Sequence, residues 1–164
     1  MAMGFNADQI LTVAEQIERN GAMFYRRAAK AQSDAKVKEM LAAMAEMEDE
    51  HERVFAAIHA DLAEVERKEM VFDPDQELPL YLRSLADRNV FDVTGDPWDR
   101  LSGREGISDI LRLAVQLEKD SIVFYLGLKD MVPARLGGPR IEAIIKEEMG
   151  HISTLAALAA RWHK

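Results

Sequence analysis

Residues 14–25 read AEQIERNGAMFY, and residues 114–125 read AVQLEKDSIVFY. Ala14, Gln16, Glu18, Phe24 and Tyr25 recur 100 positions later as Ala114, Gln116, Glu118, Phe124 and Tyr125. Ile17/Leu117 and Arg19/Lys119 are similar pairs at the same offset. The offset also relates residues 48–51, EDEH, to residues 148–151, EMGH, and both are Glu-x-x-His. An internal repeat of this length is read before anything else, because it fixes the architecture. Here the second half of the chain repeats a helical hairpin formed by the first.

The repeated glutamates lie on apolar helix faces. At three- and four-residue steps Glu18 is flanked by Leu11, Ala14, Gly21, Ala22 and Tyr25. Glu118 has Leu111, Ala114, Val115, Ser121, Ile122 and Tyr125. Glu48 has Leu41, Met44, Ala45 and Phe55, and Glu148 has Ile141, Ile144, Ile145, Ile152 and Leu155. Such stripes face the core. An ionised carboxylate buried without a partner costs several kcal/mol. Four of them would cancel a net stability of about 5–15 kcal/mol. No Lys or Arg shares these faces near the glutamates. Two divalent cations would balance four carboxylates, and His51 and His151 are natural ligands as neutral imidazoles. The Glu-x-x-His spacing puts both side chains on one face, about one turn apart. Counting from the turns near Gln32 and Arg135, each hairpin brings its two glutamates to a common depth at roughly 1.5 Å per residue. Gly21, Ser121 and Gly150 are small enough to leave room for metal or an oxygen ligand.

Outward from the repeat, the chain divides into a helical hairpin over 7–68, a crossover over 69–102 and a second hairpin over 103–162. All of it forms one domain, which suits 164 residues. The first helix starts at Ala7, with Asn6 as its cap, and ends near Ala31. The second follows Ser33 and Asp34 and extends to about Lys68. The third starts near Ser102, where Ser102 and Glu105 form a capping-box pattern, and stops before Pro133. The fourth follows Gly137, Gly138 and Pro139. The crossover carries Phe72, Leu78, Leu80, Tyr81, Leu82, Leu85, Phe91 and Trp98, too many large apolar groups for a polar linker. A short helix is expected near 78–88. A connection this long is explained if the second and third helices run parallel. The fold class is therefore all-α, a four-helix bundle with one long crossover.

Bulk properties narrow the function. The net charge of -8 argues against nucleic acid and anionic membrane as partners. The chain has no cysteine, which excludes disulfides, Cys-based zinc sites and iron–sulfur clusters. No secretory signal and no run of about 18 apolar residues is visible, so a cytoplasmic protein is expected.

The pattern Glu, Glu-x-x-His, Glu, Glu-x-x-His resembles the ferritin-like di-iron carboxylate proteins. Within these it is most similar to the rubrerythrin-related group, in which an aromatic residue follows a ligand Glu by seven positions, as in Glu18/Tyr25 and Glu118/Tyr125. The resemblance implies two iron ions, with two manganese ions as the alternative. It implies Glu18 and Glu118 as terminal ligands, Glu48 and Glu148 as bridges, and one ion on each of His51 and His151. Tyr25 and Tyr125 would hydrogen-bond to ligand carboxylates. Rubrerythrins carry a further ligand Glu where this chain has Ser121, and a four-cysteine rubredoxin domain that this sequence lacks. An electron donor would then be a separate protein. The implied function is a di-iron oxidoreductase that reduces peroxide, or oxidises ferrous iron with dioxygen or peroxide. The alternatives are iron storage without turnover, a dimanganese catalase, and a metal-free interaction module. Self-association as a homodimer is an open expectation.

The remaining candidates read more plainly. The nine methionines fill gaps in the core. Glu147 is a solvated neighbour of Glu148 or a partner behind the ligands, with an extra ligand as the alternative. His59 and His163 lack a Glu three positions earlier and are assigned to the surface. Asp49, Glu50 and Glu52 fall outside the ligand ring.

Overall fold

Helix-forming periodicity becomes four long helices in the computed structural model, which describes residues 7–62, 95–102 and 104–161. They are α1 (Ala7–Lys30), α2 (Ala35–Asp61), α3 (Ile107–Met131) and α4 (Gly138–Ala159), with a short 3-10 turn at Pro97–Arg100. Asp34 caps α2 by accepting from the backbone N–H groups of Lys36 and Val37 at 2.9 and 3.0 Å. Pro139 sits in the first turn of α4, where its missing N–H costs nothing. The helix α2 ends at Asp61, with Leu62 in extended conformation.

The expected start of α3 needs correction. Ser102 and Glu105 do pair, with the Ser102 N–H donating to Glu105 Oε1 at 2.6 Å, but they do so ahead of the helix. Gly106 is extended (φ -78°, ψ 172°) and takes the cap position, so α3 begins at Ile107. Glycine's poor helix propensity breaks the run that the capping pattern suggested. The second helix, expected to reach about Lys68, stops at Asp61, because Leu62 turns extended. The crossover's apolar residues from Phe72 to Phe91, the short helix near 78–88, the Asn6 cap and His163 lie outside the described residues.

Two apolar clusters set the helix directions. One joins Ile10, Leu11 and Ala14 of α1, Phe55 and Ile58 of α2, Phe124, Leu128 and Met131 of α3, and Ile141 and Ile144 of α4. The other joins Phe24 and Ala28, Val37 and Leu41, Ile110 and Leu111, and Leu155 and Leu158. The start of α1 therefore shares an end of the bundle with the finish of α2, the finish of α3 and the start of α4. Each hairpin is antiparallel, and α2 runs parallel to α3. At about 1.5 Å per residue the 27 residues of α2 span roughly 40 Å, a distance the crossover must retrace. Its described end arrives where that path predicts. Trp98 packs on Phe24, with ring centroids 5.7 Å apart, and Asp96 pairs with Arg27 at 2.8 Å. Each large side chain sealed in these clusters contributes about 1.5–3 kcal/mol. No described helix is long and apolar enough to cross a membrane. Between the two apolar layers lies a slab of buried polar side chains.

Candidate metal centre

Each helix supplies one buried glutamate to this slab, and α2 and α4 each add a histidine one turn on. Glu18, Glu48, His51, Glu118, Glu148 and His151 are all at most 4% exposed. The six residues singled out in the sequence are thus brought together. They form two overlapping groups, Glu18, Glu48, His51 and Glu148, and Glu48, Glu118, Glu148 and His151. Within each group one ligand atom per residue lies within 4.8 Å of the others, a spacing that could hold a metal ion.

The shared members are Glu48 and Glu148. Glu148 turns Oε1 to His51 Nδ1 at 3.0 Å and Oε2 to His151 Nδ1 at 2.9 Å. Glu48 turns Oε2 to His51 Nδ1 at 3.6 Å and Oε1 to His151 Nδ1 at 3.3 Å. Glu18 approaches only His51, at 3.6 Å, and Glu118 only His151, at 3.4 Å. The two imidazoles lie 24° from parallel with centroids 5.9 Å apart.

Tyrosines close the slab above and below. The Tyr25 hydroxyl donates to Glu118 and the Tyr125 hydroxyl donates to Glu18, so each hairpin holds the other's glutamate. Burial pushes both phenols well above their ordinary pKa, and the facing carboxylates add to it, Glu118 foremost for Tyr25 and Glu18 for Tyr125. Burial also raises Glu18 and Glu118 well above the carboxylate range. Glu48 and Glu148 feel the same burial, but the imidazoles of both histidines lying beside them outweigh it and hold them low. His151 is lifted to about 12, because contacts with Glu118, Glu148 and Glu48 overcome its burial. His51 is raised likewise against its burial, through Glu148, Glu18 and Glu48.

Glu48 Oε1, both oxygens of Glu148, His51 Nδ1 and both ring nitrogens of His151 are buried with no hydrogen-bond partner among the described residues. An unsatisfied buried polar atom costs about 1–3 kcal/mol. Five of these six atoms point at one another across the centre. Carboxylate oxygens and imidazole nitrogens are the donors that iron, manganese and zinc accept, so the residues fit a pair of such ions.

Other expectations sort simply. Asp49 pairs with Arg26, Glu50 with Arg53 and Glu52 with Arg19, all outside the ring. Gly21 faces the centre: a Cβ there would meet Glu48 Cγ at 3.3 Å. Ser121 is buried, but its hydroxyl is spent on the Glu118 carbonyl at 2.9 Å. Gly150 does not serve the expected role, since it is exposed with nothing within 4 Å of a Cβ. His59 is not a plain surface residue, because it sits between Asp8 and Glu15 at 2.8 Å from each. Glu147, expected to be solvated or a partner behind the ligands, is the latter, with its Oε2 2.9 Å from His51 Nε2. Its counterpart in the repeat is Met47.

Two antiparallel hairpins joined by a long crossover, with four buried glutamates and two histidines at mid-depth, define the class of ferritin-like carboxylate proteins. The chain belongs to the Rubrerythrin family, whose model matches residues 9–159. A solved structure from Thermotoga maritima, described provisionally as a ferritin-like diiron-carboxylate protein, superposes with a TM-score of 0.75. The two share 22% identity over 98% of each chain, which establishes a common fold. No curated protein matches the sequence.

Proposed function

We propose that the six residues hold two iron ions and that the protein is an oxidoreductase of rubrerythrin type. The observation that carries this reading is the placement of Glu48 and Glu148, each offering one oxygen to each histidine's side of the centre. In this reading Glu18 and His51 would hold one ion, Glu118 and His151 the other, and Glu48 and Glu148 would be shared between them. A ferrous pair held there would supply the two electrons that, with two protons, convert peroxide to two molecules of water. The chain's own contribution is positional. Tyr25 and Tyr125 hold the terminal carboxylates, and the apolar layers on both sides keep bulk water away. The reading includes a separate donor protein that returns the electrons, and the cytoplasm as the compartment.

The test is elemental analysis of protein produced with iron and manganese both available, followed by peroxide turnover. About two irons per chain, with peroxide consumed only when a reductant is supplied, supports the reading. Two manganese ions with oxygen release and no reductant would make it a catalase. Uptake far beyond two irons would make it a storage protein, and ferrous oxidation without peroxide turnover would make it a ferroxidase.

A further inference from the structure

The two halves of the centre come from one repeat, yet they differ behind the histidines. His51 Nε2 on α2 is hydrogen-bonded to Glu147 Oε2 on α4, so the ring is held from the opposite hairpin. The Glu147 side chain is 52% exposed, and only its carboxylate end reaches inward. Shifted by the repeat offset, the position of Glu147 is Met47, which offers no oxygen. His151 Nε2 is buried and has no hydrogen-bond partner among the described residues. Both histidines present Nδ1 to the carboxylates. An acceptor on Nε2 keeps the proton there, leaves the Nδ1 lone pair directed at the centre and makes it a stronger donor. His51 has that support and His151 lacks it.

We propose that Glu147 is a positioning residue for His51 that makes the two half-sites unequal, so that the ion beside Glu18 and His51 binds first and more tightly. The ion beside Glu118 and His151 follows. This rests on the two-ion reading above and adds an order of loading to it.

Calorimetric titration of the chelator-stripped full chain with Co(II) alone tests it. The wild type takes up two ions in two resolved steps. Glu147→Ala weakens the tighter step by about 10- to 100-fold and brings the two together. Glu147→Gln removes the charge but keeps an acceptor, and it retains most of the tighter step. Met47→Glu supplies the missing acceptor and tightens the weaker step. Both altered side chains are partly exposed, so circular dichroism serves as the check on folding. Two equal steps in the wild type would overturn the proposal while leaving the two-ion reading intact. Unchanged constants in Glu147→Ala, or equal losses in the Ala and Gln variants, would do the same. Uptake of no Co(II) by the wild type would remove the two-ion reading itself.

Discussion

The Tyr125 hydroxyl on α3 donates a hydrogen bond to Glu18 on α1, and the repeat mirrors it with Tyr25 and Glu118. Both bonds cross between hairpins, so they tie the two halves of the bundle together at the level of the centre. Burial favours the neutral form of both glutamates, so each bond contributes about 0.5–1.5 kcal/mol. Tyr125→Phe keeps the ring and removes only the donor. The expected result in urea unfolding is a loss of that order, with a closely similar loss in Tyr25→Phe. The double variant should lose other than the sum, because all four residues belong to one network. Losses near zero in both variants would mean that the tyrosines act only by packing.

Without metal the slab crowds four carboxylates against two histidines, and six of its polar atoms lack hydrogen-bond partners among the described residues. Ions that bind only the folded chain stabilise it by mass action, by about 2.7 kcal/mol at a free concentration of 100 Kd. Ferrous or cobaltous ion should therefore raise Tm. Glu48→Ala, which removes a shared carboxylate, should abolish most of that rise. Asp49→Ala, beside it in sequence but paired outward with Arg26, should leave the rise unchanged. An undiminished metal response in Glu48→Ala would remove Glu48 from its bridging role.

How far the sequence reached depends on whether a feature is local or tertiary. The six-residue ring was legible because it lies on periodic apolar faces and occurs twice, so chance placement is hard to sustain. That Tyr25 and Tyr125 approach carboxylates was also legible. Which carboxylate each takes was not, because the antiparallel packing of α1 on α3 decides it. For Glu147 a solvated acid and a partner behind the ligands were both open, and the packing of α4 against α2 decides for the second by bringing it to His51. His59 was misread for the same reason, since its partners Asp8 and Glu15 are on α1. The start of α3 failed locally: a good capping pattern at Ser102 and Glu105 lost to the extended backbone of Gly106.

The adjacent glycines at the start of α4 should respond unequally to the same substitution. A Cβ on Gly137 would lie 2.9 Å from Val132 Cγ1 and 3.2 Å from Ile58 Cγ2 and Ile141 Cδ1. These are branched core side chains with little freedom to retreat. Gly137→Ala should destabilise by about 1–3 kcal/mol through overpacking. A Cβ on Gly138 would meet Ala134 Cβ at 3.8 Å, an ordinary contact, but Gly138 is helical and precedes Pro139, whose ring crowds a Cβ on the residue before it. Gly138→Ala should therefore cost less than Gly137→Ala, because a gain of about 0.4–1 kcal/mol from restricting the unfolded chain offsets part of that crowding. Thermal or urea unfolding of the two variants checks the order.

His59 gives the fold a pH dependence separate from the metal centre. Burial lowers its pKa, but the hydrogen bonds to Asp8 and Glu15 outweigh that, so the folded value lies above the ordinary one. These two acids face it from α1, and Arg19 shares Glu15 at 3.0 Å. A raised folded pKa means that the folded state holds the proton more tightly than the unfolded chain. The contribution is therefore complete below the unfolded pKa of about 6.5 and is lost as pH rises through the folded value. His59→Gln removes the titrating group while keeping hydrogen-bonding capacity. Comparing it with the wild type by urea unfolding from pH 5 to 9 cancels the shared titration of the centre. The stability difference should favour the wild type most at the acid end and shrink as pH rises. A difference that grew with pH would mean that the imidazole is held neutral between its two acids.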